Sequence, residues 1–213
     1  MKKELLVKIA RCKELGAAKS DNTHACYSLV NSQATREFHI PEPWNGHIDT
    51  AEILYISSNP SIDPNEHYPI ENWSDTEIID FFENRFEITP RKNWSRYWKA
   101  LNKWTGWIFD KSKSENLLSQ YACLTEIVHC KSPTDTMLSD YCQKTCFNNH
   151  LREILKLFNG KYVVVVGRIA RDYIQFHLDE EYLYGKKIAF ISAPSAFGHT
   201  DEERKTSLMK QLF

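Results

Sequence analysis

Four short apolar runs dominate the hydrophobic pattern of the chain: Glu52 to Ser57, Ala122 to His129, Tyr162 to Gly167 and Lys187 to Ser192. Each is rich in β-favouring residues, which predicts a strand. The clearest, Tyr162-Val-Val-Val-Val166, is apolar throughout, the pattern of a strand buried on both faces. Helical spacing covers Ser95 to Trp104, Ser139 to Phe158, Ile169 to His177 and Asp201 to Leu212. Strands alternating with helices predict an α/β fold: a three-layer αβα sandwich around a central, mostly parallel sheet of about four strands. No repeat, low-complexity tract or long Pro/Gly linker divides the chain. Residues 1–213 are read as one domain, with 1–50 as an N-terminal extension.

Ligands of such folds bind beyond the carboxyl ends of the strands. Four places follow from that rule: Ser58-Asn59-Pro60-Ser61, Glu126 to Ser132, Gly167-Arg168 and Ala193-Pro194-Ser195. Gly167 is accounted for as a strand-to-helix turn. The other three carry the unusual residues of the chain.

Composition adds bounds. With 42% hydrophobic and 26% charged residues, the 213-residue chain is ordinary for a globular protein. No apolar run approaches a membrane span, and Glu4 and Lys8 interrupt any signal-peptide core. A cytoplasmic location, with no membrane and no obligate protein partner, is expected. Net charge is −1, so any nucleic-acid partner needs a local basic patch. Six cysteines are many for a reducing compartment, where clusters are more often metal-binding or catalytic than disulfide-bonded. Unrelated buried thiols are the alternative. The stretch Trp94-Ser-Arg-Tyr-Trp-Lys-Ala-Leu-Asn-Lys-Trp104 suits stacking on nucleic acid. An amphipathic helix burying Trp94, Trp98 and Leu101 is the favoured reading.

Taken together, the Asn59-Pro60 and Pro194-Ser195 loops resemble the two active-site motifs of the uracil-DNA glycosylase superfamily. Asn59-Pro60 is similar to the Gly-Ile-Asn-Pro-Gly motif of the mismatch-specific and thymine-DNA glycosylases. The middle of the chain is closer to the iron–sulfur uracil-DNA glycosylases, where Ile-Thr-Asn-Ala-Val-Lys-Cys leads, fifteen residues on, to a second cysteine. Here Leu124-Thr125-Glu126-Ile127-Val128-His129-Cys130 is followed by fifteen residues and Cys146. Two positions depart from the pattern. Ala193 stands where the uracil-specific members have a histidine, and Glu126 stands where they have the asparagine that reads the base edge.

The resemblance implies a monofunctional DNA glycosylase that hydrolyses the N-glycosidic bond of a flipped-out pyrimidine, in DNA repair or in defence against phage with modified DNA. Asn59 would orient the attacking water, with Asp63 the alternative general base; Asp63 before Pro64 also reads as a turn former. Ser58, Ser61 and Glu126 would contact the base. Pro194, Ser195 and Phe197 would contact DNA, Phe197 as a wedge. An ionised Glu126 only accepts hydrogen bonds, which favours the exocyclic amine of a cytosine-derived, 5-modified base over uracil. A uracil-DNA glycosylase of base excision repair is the alternative, and a catalytically inactive DNA-binding member of the fold is another. The resemblance also implies a [4Fe–4S] cluster held by Cys12, Cys26, Cys130 and Cys146, although Cys12 and Cys26 lie thirteen residues apart instead of two. Zinc is the alternative ion. Cys142 and His24 are possible substitute ligands, and Cys123 is expected in the core.

Overall fold

The structure, a computed structural model, describes residues 1–33, 37–63, 66–133, 138–178 and 180–213, with the backbone only at 180 and 181. Strands β1 (Ile53–Ser57), β2 (Ala122–Glu126), β3 (Tyr162–Val166) and β4 (Lys187–Ile191) form one all-parallel sheet in the order β2-β1-β3-β4. The helices are α1 (Lys2–Ala10), α2 (Leu15–Ser20), α3 (Tyr27–Asn31), α4 (Asp75–Ile88), α5 (Arg96–Phe109), α6 (Leu117–Tyr121), α7 (Asp140–Cys146), α8 (Arg152–Leu157), α9 (Arg168–His177) and α10 (Asp201–Leu212).

Alternation along each strand divides the core in two. Leu54, Ile56, Val163 and Val165 face one layer, with Leu6 and Ile9 of α1, Ile154 of α8 and Ile174 of α9. Ile53, Tyr55, Val164 and Val166 face the other, with Leu101 and Trp104 of α5 and Leu208 of α10. The result is a three-layer α/β sandwich. Five helix starts are fixed by local chemistry: Ser74, Ser95, Asn116, Ser139 and Thr200 each accept from the N–H three residues on. Glu77 and Glu203 return the bond, completing capping boxes on α4 and α10.

Several boundaries differ from the sequence pattern. β2 stops at Glu126, because residues beyond it leave the sheet to follow the loop after β1. Ile127 N donates to Ser57 O at 2.9 Å, Val128 N to Ser58 O at 3.0 Å and Ser132 N to Pro60 O at 3.1 Å. α5 runs five residues past Trp104, to Phe109, and ends where Asp110 turns left-handed at φ 52°. The first fifty residues are built into the core. Asn45 and Leu124 exchange backbone bonds at 2.8 and 3.0 Å, and Trp44 and Ile48 are buried. Gly46 lets the chain pass there: at φ 92°, a Cβ would sit 2.7 Å from Ala122 O. Among the described residues, no helix is long and apolar enough to cross a membrane.

Candidate functional site

The parallel strands end together, and their loops surround one open cavity of about 1480 Å³. Ser58, Asn59, Ser61 and Asp63 line it from the loop after β1, Glu126 from the end of β2, Gly167 and Arg168 from the start of α9, and Ala193 and Ser195 from the loop after β4. Pro194 lines a neighbouring groove instead, and Phe197 projects fully exposed. Pro64 lies outside the described residues.

The Asn59 side chain is held by its nitrogen, which donates to Ser132 Oγ at 2.7 Å and Pro60 O at 3.2 Å. Its Oδ1 takes no protein donor among the described residues and remains an acceptor for water. The Asn59 and Ser61 N–H groups donate to no main-chain carbonyl among the described residues. Asp63 is exposed at the rim.

Glu126 is buried at the cavity floor. Ser57 Oγ reaches its Oε1 at 3.4 Å, and Oε2 has no hydrogen-bond partner among the described residues. Burial, and then the nearby Glu42 carboxylate, push its pKa well above the ordinary carboxylate value. The neutral form of Glu126 therefore persists to higher pH than that of an ordinary carboxyl, which favours the protonated alternative to an ionised group. Above it, the Tyr97 hydroxyl is buried near Ser57 without a partner in hydrogen-bonding geometry.

The same cavity reaches a buried charge network that the sequence reading missed. Arg85 Nη1 donates to Glu42 Oε2 at 2.6 Å, and its other Nη pairs with Glu66. Lys131 Nζ lies 2.9 Å from Glu66 and 3.8 Å from Glu42. Burial opposes ionisation of Glu42, but Arg85 and Lys131 outweigh it and hold the pKa at about 2. Two signals were available: a lone carboxylate between Pro41 and Pro43, and a lysine directly after Cys130.

Arg204 of α10 fixes the loop after β4. It donates to His199 O at 2.8 Å, Ala193 O at 3.0 Å, Ala196 O at 3.2 Å and Ser192 Oγ at 3.3 Å. One buried guanidinium thereby sets the positions of Ser195 and Phe197.

On the other face of the sheet, Cys12, Cys26, Cys130 and Cys146 line one small cavity of about 20 Å³, among apolar walls such as Leu15, Val30 and Val128 and the polar Glu14, Thr145, Asn149 and His150. The His129 N–H donates to Cys146 Sγ at 3.4 Å, and His150 Nε2 lies 3.3 Å from Cys12 Sγ. Cys142 stands behind, its sulfur 3.0 Å from that of Cys26. His24 instead accepts from Cys26 N through Nδ1 at 3.1 Å. Cys123 is fully buried in β2, as expected. Among the described residues, no three His, Cys, Asp or Glu side chains converge as ligands of a single metal ion.

Fold and site define an α/β protein with a ligand cavity at the strand ends and a separate nest of thiols. No protein-family model and no curated protein matches the chain.

Proposed function

We propose that the chain is a monofunctional DNA glycosylase of the uracil-DNA glycosylase type, hydrolysing the N-glycosidic bond of a flipped-out modified or damaged pyrimidine. The observation that carries this reading is convergence. Ser58, Asn59, Ser61, Asp63, Glu126 and Ser195, from three loops far apart in sequence, line a single cavity. These are positions that the motif resemblance singles out for water, base and phosphate.

Asn59 Oδ1 accepts from a water and aims it at the sugar carbon as the glycosidic bond breaks. Its own amide stays bound to Ser132, so the acceptor is pre-oriented. The Asn59 and Ser61 N–H groups are available to negative charge on the departing base. Neutral Glu126 offers one donor and one acceptor, the same pair that an asparagine offers. It gives its proton to uracil O4 and accepts from N3–H, or gives it to cytosine N3 and accepts from the exocyclic amine. The edge contact therefore serves both bases. The cavity, about 1480 Å³, admits a pyrimidine with or without a 5-substituent. Ala193, where the uracil-specific members have a histidine to stabilise the departing uracil anion, is the argument against uracil as the main substrate. Such an activity serves DNA repair or defence against modified phage DNA.

Cys12, Cys26, Cys130 and Cys146 are the residues that would hold a [4Fe–4S] cluster, which would act as a structural clamp between the N-terminal helices and α7. Four thiols spread around one cavity suit a cluster better than one zinc ion, whose sulfurs must all approach within about 2.3 Å of a point.

The test is abasic-site formation in duplexes carrying modified pyrimidines. Asn59→Ala is expected to lower excision about 100-fold or more while DNA affinity holds. Retained activity in Asn59→Ala with loss in Asp63→Ala would transfer the water-activating role to the carboxylate.

A further inference from the structure

The groove beside the cavity, about 760 Å³, is walled by α5, the residues just before it, the 113–114 turn and the start of α10. Its charge is one-sided. Seven cationic side chains line it and a single carboxylate, Asp201, in a chain whose net charge is −1. Lys103 neutralises Asp201 across 2.5 Å. Arg91 is spent on the carbonyls of Lys113 and Ser114, and Arg204 on the loop after β4. Lys92, Arg96, Lys99 and Lys113 have no ion pair among the described residues, and all four are exposed.

The aromatic residues of the same stretch form the buried floor, Trp94 and Trp104 lining the groove from beneath its cations. Trp94, Leu101 and Trp104 are buried, so the helix divides into an apolar inner face and a basic outer one. Arg96, Lys99 and Lys103 follow at helical spacing on one face and span about 10 Å at about 1.5 Å per residue. Phosphates of one duplex strand recur about every 3.4 Å along the axis. Lys103 being paired with Asp201, the cations left for a ligand are Arg96 and Lys99 of this row with Lys92 and Lys113 of the flanking turns, more positive charge than a small anion neutralises. The groove is also continuous with the site. Trp94 lines both depressions, and Pro194 of the groove adjoins Ser195 of the cavity. The exposed Phe197 ring stands three residues further along.

We infer that this groove is the track for the phosphodiester backbone of the DNA strand whose nucleotide enters the cavity, with Lys92, Arg96, Lys99 and Lys113 as its phosphate contacts. The choice of DNA as the polyanion rests on the glycosylase reading; the charge of the groove does not.

The experiment compares the wild type with the triple variant Lys92→Gln/Arg96→Gln/Lys99→Gln and a control, Lys3→Gln/Lys8→Gln/Lys144→Gln, whose exposed positions lie on α1 and α7 in the opposite layer. Binding of a labelled duplex, unmodified or carrying a tetrahydrofuran abasic analogue, is titrated across salt concentrations, with thermal melts as the folding check. The triple variant is expected to melt like the wild type and bind at least about tenfold more weakly. Its log–log salt slope should be shallower by about 2–3, since each lost phosphate contact removes about 0.9. The control is expected to bind as the wild type does. Equal binding and slope in wild type and triple variant, or no DNA binding by the wild type, overturns the proposal. Salt-dependent binding lost in the triple variant, without any base excision by the wild type, upholds the track and sinks the glycosylase reading alone. Excision that persists with unchanged affinity in the triple variant does the reverse.

Discussion

At the scale of single residues, the decisive group is Glu126. Its carboxyl is buried and the Glu42 carboxylate is nearby, so its pKa lies well above the ordinary value despite Arg85 and Lys131. Excision that uses this proton as a donor is present while Glu126 is neutral and falls as pH rises through its raised pKa. Glu126→Gln retains a donor and an acceptor, so it is expected to keep activity and lose that alkaline fall. Glu126→Leu is expected to be inactive at every pH. Parallel alkaline profiles for wild type and Glu126→Gln would show that the titrating group lies elsewhere. The same shift acts on stability with a definite sign. The unfolded chain ionises Glu126 near the ordinary value of 4.5, whereas the fold displaces its ionisation to higher pH. Wild-type stability is therefore penalised above that pH, and Glu126→Gln should raise the melting temperature at pH 7 but not at acid pH. The identity of this residue was legible in the sequence; its raised pKa was not, because it depends on burial and then on Glu42, 84 positions away.

At the scale of elements, the strands were readable because β-branched runs announce themselves, and the capped starts of α5, α7 and α10 because serine or threonine precedes an apolar period. Their ends were not, since β2 stops where a loop from β1 competes for its hydrogen bonds. The role of Arg204 was equally hidden: nothing in α10 marks which of its cations turns inward to grip four acceptors. The thiols lie between these cases. Their number and the Cys130–Cys146 spacing were visible, but only the fold brings Cys12, after α1, and Cys26, before α3, to the same cavity. Protein purified without oxygen is expected to be brown and to contain equal amounts of iron and acid-labile sulfide. Cys130→Ser should lose the colour and lower the folded yield before it alters chemistry in the surviving protein. Colourless protein with stoichiometric zinc would assign the thiols to a single ion.

At the scale of the whole molecule, the sheet separates two tasks. One layer, with α1, α3 and α7, carries the thiols; the strand ends and α5 carry the cavity and the basic groove. A net charge of −1 conceals the local excess in the groove, where seven cationic side chains face one carboxylate, because composition only counts charges. The central claim is cleavage between base and sugar, and free base is its direct product. The measurement is mass spectrometry of small molecules released from duplexes containing uracil, cytosine or 5-modified cytosines, with alkali-labile breaks mapped on the same strands. The account predicts at least one modified or damaged pyrimidine released intact, a matching abasic site at its position, and release slowed about 100-fold or more in Asn59→Ala. Folded protein that binds these duplexes yet releases no base from any of them would contradict it.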